Sequence, residues 1–396
     1  MGSQAAKGER FEVLDSLRGV CASMIVLLHF HTTGYIANST LVSHGWMFVD
    51  FFFVLSGFVI CASYGARLES GFPIGRFMWL RLGRIYPLHL FMLLVFLAFE
   101  LAFWTGLMGG ADRRPFEGSN SIGSFIASLF LVQIFYGPDG VANWNGVSWS
   151  IQAEMWTYLI FALLFRWTRG WVVAASIAVA VVAGLYVFLL TDRYLNVFHD
   201  GALARCLFGF SLGVVAYRIH AGRSQTVRPA FALATLGEAA AVIAVIALIV
   251  TAKSGPFSIA VPPLFFVVVS LFAREGGGIS RLLKLRPFLL VGTLSYSIYM
   301  IHFFLQLRFI NVLSAVERLS GGRIDIVGTV DGHNQVVASP LVSDALSLVV
   351  LALSIVAAHF TYTFIERPAQ RWSREAKVGE RRPRAEAVAE REAPTF

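Results

Sequence analysis

The stretch "LDSLRGVCASMIVLLHFH", residues 14–31, decides the fold class, because it places ionisable side chains within an apolar run that is typical of a membrane helix. Arg18 and His29 are eleven residues apart, which advances an α-helix by about 16 Å and by three turns plus about 20°. The two side chains therefore share one helix face, with Arg18 near one membrane surface and His29 near mid-bilayer. An ionisable group at mid-bilayer depth is costly unless it faces protein or water, so His29 is predicted to belong to a functional site. Arg18 either belongs to the same site or extends its guanidinium to the cytoplasmic interface.

The composition of the whole chain indicates the same setting. Hydrophobic residues make up 57% of the sequence and charged residues 14%, whereas soluble proteins average about 25% charged residues. Runs of about 20 apolar residues predict transmembrane helices, and they occur near residues 19–37, 47–65, 86–108, 149–168, 171–190, 203–219, 230–252, 257–273, 287–307 and 341–364. A shorter apolar stretch at 121–137 predicts a re-entrant or tilted helix. The predicted fold class is all-α, a polytopic membrane helix bundle with about ten transmembrane helices.

The distribution of lysines and arginines predicts the orientation of the chain in the membrane. If the N-terminus is cytoplasmic and residues 121–137 do not cross, 24 of the 32 lysines and arginines lie on the cytoplasmic side, as the positive-inside rule requires. Both termini are then cytoplasmic and residues 109–148 lie outside, as expected of a multi-pass protein of a bacterial inner membrane. Residues 375–396 are highly charged and predict a disordered tail beside membrane lipids, which leaves 1–374 as one membrane domain.

Cysteine usage argues against a metal site. Cys21, Cys61 and Cys206 lie within apolar runs and show neither metal-ligand nor paired spacing. We therefore predict no bound metal and no disulfide framework, and from a chain of this composition we expect no nucleic-acid partner.

Two further groups of charged residues lie near the ends of predicted spans. Asp50, near the outer end of the second span, either lies in the interface or pairs with His29 and holds its imidazole in one tautomer. Arg81 and Arg84, three residues apart at the cytoplasmic mouth of the third span, point to the same side. They are either anchors that follow the positive-inside rule or guanidinium forks that bind phosphate.

The fourth and ninth spans also carry polar residues at helical spacing. Glu154 lies about one turn inside the fourth span, with Ser150 four residues earlier on the same face, and a carboxylate there is costly unless it is used or paired. The ninth span has a polar stripe that must face a cavity or another helix, and hydrogen bonds between spans would be a sufficient reason for it. The stripe comprises Ser295, Tyr299, His302 and Gln306.

Six motifs in order resemble the acyltransferase type 3 family of integral-membrane O-acyltransferases. They are "LDSLRGVCASMIVLLHF" with its arginine–ten residues–histidine spacing, "VDFFFVLSGFVI", "RLGRIYP", "SWSIQAEMWTY", "LSYSIYMIHF" and "FIERP". The resemblance implies a ten-span enzyme that takes an acyl group, often acetyl, from cytoplasmic acyl-CoA and places it on a hydroxyl of a glycan or another acceptor. The family positions of interest are Arg18, His29, Arg81, Arg84 and Glu154.

The chain departs from the family pattern in two ways. Many members have two adjacent glutamates in the fourth motif, whereas Met155 follows Glu154 here. Other members add an extracytoplasmic hydrolase-like domain, but this chain ends shortly after "FIERP". We therefore expect the membrane domain to deliver the acyl group by itself or with a separate glycan-assembly protein.

Acyl transfer from a thioester to an alcohol needs a base and a group that stabilises the oxyanion. His29 is the predicted base, because an imidazole with an unperturbed pKa of about 6.5 is available in its neutral form at physiological pH. Arg81 and Arg84 would bind the CoA phosphates, and a covalent acyl-histidine intermediate stays open. The alternatives are a transporter or flippase of a glycan or small metabolite, which would use the same charges to move its substrate, and a non-enzymatic scaffold.

Overall fold

The computed structural model describes residues 11–106, 114–136, 144–223, 229–321, 326–330 and 333–376. Nearly all of the predicted tail (375–396) and parts of the predicted outer segment (109–148) lie outside the described residues. The first half of the chain forms α1 (Glu12–His29), α2 (Tyr35–Asn38), α3 (Thr40–Ser43), α4 (Phe48–Ile60), α5 (Ala66–Glu69), α6 (Ile74–Trp104), α7 (Ile122–Leu129), α8 (Trp149–Thr168) and α9 (Val172–Leu190).

The second half continues in the same helical style. It forms α10 (Ala202–Gly222), α11 (Phe231–Ala252), α12 (Val261–Phe272), α13 (Gly278–Leu283), α14 (Arg286–Leu319), α15 (Pro340–Thr361) and α16 (Arg367–Glu375). Two π-helical turns, Cys61–Gly65 and Tyr362–Glu366, join α4 to α5 and α15 to α16 without a break. A small antiparallel hairpin, β1 (Val327–Val330) and β2 (His333–Val336), interrupts the helical pattern.

Each of the ten predicted apolar runs overlaps a helix among the described residues, which confirms the polytopic helix bundle. Within the described residues, seven continuous helical stretches are long and apolar enough to cross a membrane. One of them, Trp149–Leu190, contains both α8 and α9, which meet at Arg169, a residue with a left-handed φ of 42°. A shorter apolar helix spans Pro256–Phe272.

The first helix differs from its predicted bounds. It begins at Glu12, not near residue 19, and ends at His29, not near residue 37. Glu12 and Asp15 lie in its first turn, where negative side chains favour helix formation because they face the positive end of the helix dipole. A search for apolar runs alone therefore misses the first turn of α1. His29 lies at the end of this helix, not in its middle.

The stretch at 121–137 contains one short helix. With eight residues, α7 is about 12 Å long, whereas the hydrocarbon core of a bilayer is about 30 Å thick. After it the backbone turns at Leu131, which has a φ of 58°. The helix by itself is too short to span a bilayer.

Glycines set the closest helix contacts. A Cβ atom added to Gly19 of α1 would lie 2.5 Å from the backbone nitrogen of Gly292 of α14, so neither position tolerates a side chain. Gly57 of α4 lies against the backbone of Phe210 in α10 in the same way. Such small residues allow close helix packing in membranes. Gly19 and Gly292 bring the polar faces of α1 and α14 together.

Candidate active site

A cavity of about 1310 Å³ lies among α1, α4, α6, α8, α14 and α16. Val49 and Arg67, which belong to one continuous helical stretch, both line it, so it extends about 25 Å at 1.5 Å per residue. The charged residues among the described lining are five arginines and three acids, which gives an excess of positive charge. They are Arg18, Arg67, Arg81, Arg84, Arg374, Asp15, Glu154 and Glu366.

One end of the cavity, which we call the arginine end, is lined by Arg67, Arg81, Arg84 and Arg374. The Arg81 guanidinium lies 4.9 Å from the centre of the Tyr64 ring and donates a hydrogen bond of 3.3 Å to the Tyr64 hydroxyl. Within the described part of the chain, Arg84 has no hydrogen-bond partner. Its N–H groups therefore remain available for an anion in the cavity.

The C-terminal helix α16 forms one wall of the arginine end. Arg76 of α6 fixes this helix by donating hydrogen bonds to the main-chain carbonyls of Ser373 (3.0 Å) and Arg374 (2.7 Å). The Trp79 indole adds a third bond, of 3.1 Å, to the Ser373 carbonyl. These contacts hold the Arg374 side chain at the cavity, at a position that the sequence analysis missed.

The middle of the cavity contains two more predicted residues. Arg18 donates to the Ser295 hydroxyl (2.6 Å) and to the Gly292 carbonyl (3.2 Å) of α14. Glu154 accepts hydrogen bonds from the hydroxyls of Tyr158 (2.6 Å) and Ser56, both on the same carboxylate oxygen. The Glu154 carboxylate, which would be unfavourable in a membrane span without partners, thus receives hydrogen bonds from two hydroxyl groups.

The opposite end of the cavity, which we call the apolar end, is closed by Tyr299. Its hydroxyl exchanges a hydrogen bond of 2.8 Å with the Ser150 hydroxyl and lies 3.0 Å from the Val147 carbonyl. Most of the surrounding lining is aromatic or aliphatic and comprises Val49, Phe52, Phe53 and Ile151. The cavity therefore joins an end lined by arginines to an end lined mainly by apolar side chains.

His29 and His302 form a pair beyond this closed end. His302 is fully buried, and its ring centre is 6.0 Å from that of Tyr299 and 5.1 Å from that of His29. His302 Nε2 is 3.3 Å from His29 Nδ1, and Gln306 donates to the Val26 carbonyl at 2.7 Å. Neither histidine is among the described residues that line the cavity. The polar stripe of α14 thus faces the cavity in its first half and α1 in its second.

The predicted pairing of Asp50 with His29 is wrong. The fully buried Asp50 carboxylate accepts two hydrogen bonds, of 3.0 and 2.7 Å, from Arg205 of α10. Arg205 also lies between the rings of Trp46 and Trp149, at 5.1 and 5.4 Å. A guanidinium satisfies both carboxylate oxygens at once, which a histidine cannot do, and Asp50 therefore stabilises the packing of α4 against α10.

Two further lining residues, Tyr158 and Glu366, lie in motifs quoted in the sequence analysis but were not among the predicted site residues. Tyr158 lies four residues after Glu154 on the same helix face, and Glu366 lies in the "FIERP" motif. The Glu366 carboxylate accepts hydrogen bonds of 2.9 Å from Ser297 and Gln370. Helical spacing could have identified Tyr158, but no signal in the sequence shows that the last helix returns to the same cavity. No group of three metal-ligating side chains occurs among the described residues.

Comparison with known proteins shows which family shares this arrangement. The model of a family described as an acyltransferase domain matches residues 11–359. An acyltransferase named MdmB from Streptomyces mycarofaciens is 28% identical over 381 residues, which cover 91% of this chain and 86% of that protein. A protein of Rhizobium radiobacter named protein 2 in the picA locus is 37% identical over 192 residues, covering 47% of this chain and 97% of that one. No solved structure matches.

The family match covers the helix bundle from α1 to nearly the end of α15, including the histidine pair and the cavity helices α1, α4, α6, α8 and α14, whereas α16 lies beyond it. The chain is a multi-pass membrane protein, and it belongs to the acyltransferase type 3 family of membrane acyltransferases.

Proposed function

We propose that this acyltransferase moves an acyl group, acetyl in the first instance, from acyl-CoA to a hydroxyl of a cell-surface or lipid-linked glycan. The observation that carries the proposal is the two-ended cavity, with arginines at one end and an apolar closure at the other. Coenzyme A thioesters have the matching chemistry, because their phosphates lie at one end of a long uncharged arm and the acyl group lies at the other.

In this proposal the arginine end binds the phosphates. Arg81 and Arg84 carry the planar guanidinium forks that suit phosphate oxygens, and Arg374 and Arg67 add positive charge at the same end. Arg84 supports this role most directly, because its guanidinium makes no hydrogen bond among the described residues although the acids Glu366 and Glu154 line the same cavity. Arg18 lines the middle of the cavity and belongs to the donor side in this scheme.

His29 is the proposed base. It removes the proton of the acceptor hydroxyl as the oxygen attacks the thioester carbon, and the proton then passes to the departing CoA thiolate. Because Tyr299 separates the cavity from the histidine pair, the acyl group must pass this side chain to reach the acceptor. His29 is only half-buried, so we place the acceptor on its exposed side, opposite the donor.

The proposed orientation of the protein in the membrane follows from the distribution of its lysines and arginines and from the supply of acyl-CoA in the cytoplasm. We propose a bacterial inner-membrane protein with both termini in the cytoplasm, where 24 of the 32 lysines and arginines would lie. The arginine end then opens toward cytoplasmic acyl-CoA, and the histidine pair lies toward the outer side. Membrane lipids surround the bundle, and separate glycan-assembly proteins would supply or receive the glycan.

Mass spectrometry of surface and lipid-linked glycans tests this function. Cells without the protein, with the wild-type protein and with His29→Gln at matched protein levels are compared. Glutamine keeps hydrogen bonding but cannot accept the proton, so we expect the acyl groups to appear only with the wild-type protein. In purified membranes, transfer from labelled acetyl-CoA should fall by about 10²–10⁴-fold in His29→Gln.

Two outcomes would contradict the proposal. Glycans with unchanged acylation but a changed distribution across the membrane would indicate a transporter or flippase. Transfer by His29→Gln within about threefold of the parent, far less than the loss expected for a general base, would exclude His29 as that base.

A further inference from the structure

The hydrogen bonds around the histidine pair are asymmetric. His302 Nδ1 lies 3.2 Å from the Ile298 carbonyl oxygen. A carbonyl oxygen only accepts, so in a neutral His302 ring the proton is on Nδ1 and the lone pair is on Nε2. That lone pair faces His29 Nδ1 at 3.3 Å. His302 therefore presents an acceptor to His29.

His29 Nδ1 is consequently surrounded by acceptors. It lies 2.9 Å from the Ile25 carbonyl oxygen and 3.3 Å from His302 Nε2. If Nδ1 carried the lone pair, it would face a second lone pair on His302 and a carbonyl oxygen, and no hydrogen bond would form on that side. With the proton on Nδ1 both contacts are favourable, and the lone pair of His29 is on Nε2, which has no partner among the described residues.

We propose that His302 is a positioning residue for His29, which together with the Ile25 carbonyl holds the proposed base in the Nδ1–H tautomer. This inference rests on the proposed function. His302 itself does not reach the cavity, being fully buried between Tyr299 and His29. When His29 Nε2 takes the acceptor proton, the ring becomes an imidazolium, and its Nδ1–H bond to His302 strengthens because the donor is then charged.

The proton balance of the step is complete. The acceptor O–H proton moves to His29 Nε2 while the acceptor oxygen forms a bond to the thioester carbon. The C–S bond breaks, and the CoA thiolate takes the proton from His29 Nε2. His302 accepts the same hydrogen bond throughout and neither gains nor loses a proton.

Two variants of His302 separate this role from simple packing. His302→Phe keeps a ring but removes the acceptor, whereas His302→Gln offers an amide oxygen near the position of Nε2. In membranes with labelled acetyl-CoA, we expect kcat of His302→Phe to fall by about 10–100-fold, as is typical when a partner that orients a reactive group is lost. The KM for acetyl-CoA should stay within about twofold, and His302→Gln should recover most of the loss.

The ¹⁵N spectrum of histidine-labelled protein gives a readout that does not depend on activity. The resonances of His29, identified by their loss in His29→Gln, should show the Nδ1–H tautomer in the wild-type protein and in His302→Gln. In His302→Phe the Ile25 carbonyl still accepts from Nδ1–H, so we expect the Nδ1–H tautomer to remain the major form beside a detectable fraction of the Nε2–H tautomer. His359→Phe, at an exposed position of α15, is the control and should change neither the tautomer nor kcat.

The inference is overturned if His29 keeps a pure Nδ1–H tautomer in His302→Phe, or if His302→Gln is as slow as His302→Phe. Failure of the proposed function is distinguishable. In that case His29→Gln would retain its transfer activity while the spectra still report the tautomer.

Discussion

Two regions of the bundle each contain an arginine, and the two arginines, Arg205 and Arg84, differ in their hydrogen bonding. Arg205 is fully buried, and each of its three guanidinium nitrogens is hydrogen-bonded, with two bonds to Asp50 and further bonds to the carbonyls of Trp46 (3.1 Å) and Val197 (3.3 Å). Arg84 is half-buried at the arginine end of the cavity and has no hydrogen-bond partner among the described residues. Arg205 lies within a predicted membrane span (203–219), and Arg84 lies just before another (86–108).

This difference separates a structural charge from a ligand-binding one. Removing a charge from water is costly, and a buried ion pair offsets that cost only when its hydrogen bonds are satisfied. Arg205 meets this condition within the protein and needs no ligand. Arg84 does not, and its charge faces a cavity in which an anion or water can supply the missing partners.

The largest expected effect concerns the paired region. Arg205→Ala leaves the Asp50 carboxylate buried without a cation, and breaking such a pair costs about 3–5 kcal/mol. We expect a large fall in the yield and thermal stability of the detergent-solubilised protein. The double variant Asp50→Leu/Arg205→Met should recover much of the stability, because apolar replacement of a buried pair is often neutral. A single variant as stable as the parent would contradict a structural role for the pair.

A smaller effect is expected at Arg84, where substitution should change the KM for acetyl-CoA instead of the stability. Arg84→Ala should leave thermal stability nearly unchanged and raise the KM for acetyl-CoA by about 10–100-fold, equivalent to one hydrogen bond to a charged group. Arg84→Lys should recover only part of the loss because lysine lacks the planar fork.

The control for this prediction is an arginine outside the cavity. Arg281→Ala removes an exposed arginine of α13 that packs on Phe231, and the KM for acetyl-CoA should not change. Equal KM values for Arg84→Ala, Arg281→Ala and the parent would make Arg84 a simple membrane anchor.

The sequence predicts the bundle well because apolar runs and helical spacing are local properties. Each of the ten runs overlaps a helix, and the stripe on α14 was visible because residues three or four apart share a face. The bounds of α1 were wrong because its first turn is charged. The hairpin of β1 and β2 was not predicted, since it is short and packs against Thr32, far away in the sequence.

The site was predicted less completely, because it depends on contacts between distant helices. Arg81, Arg84 and Glu154 were recognised as candidates, yet their common cavity follows only from the packing of α6 and α8. The partner of Asp50 lies 155 residues away, and no local pattern connects the two. The separation of the histidine pair from the cavity likewise depends on a single side chain, Tyr299.

Tyr299 is therefore the boundary between the two functional regions, and its removal gives the last and smallest expected effect. The Tyr299 ring closes the apolar end, where the acyl group of the donor would lie. Tyr299→Ala should enlarge this end and allow a longer acyl chain to be buried at about 0.8 kcal/mol per methylene. Burying two of the four additional methylenes of the hexanoyl chain would raise kcat/KM for hexanoyl-CoA relative to acetyl-CoA roughly tenfold.

Tyr299→Phe is the matched control for that prediction. It keeps the ring and loses only the hydrogen bonds to Ser150 and the Val147 carbonyl, which are worth about 1 kcal/mol each at most in a neutral pair. Its preference for acetyl-CoA over hexanoyl-CoA should stay close to that of the wild-type protein, because the wall is still present. If Tyr299→Ala and Tyr299→Phe show the same preference, the ring does not limit the acyl chain, and the boundary between donor and base lies elsewhere along the cavity.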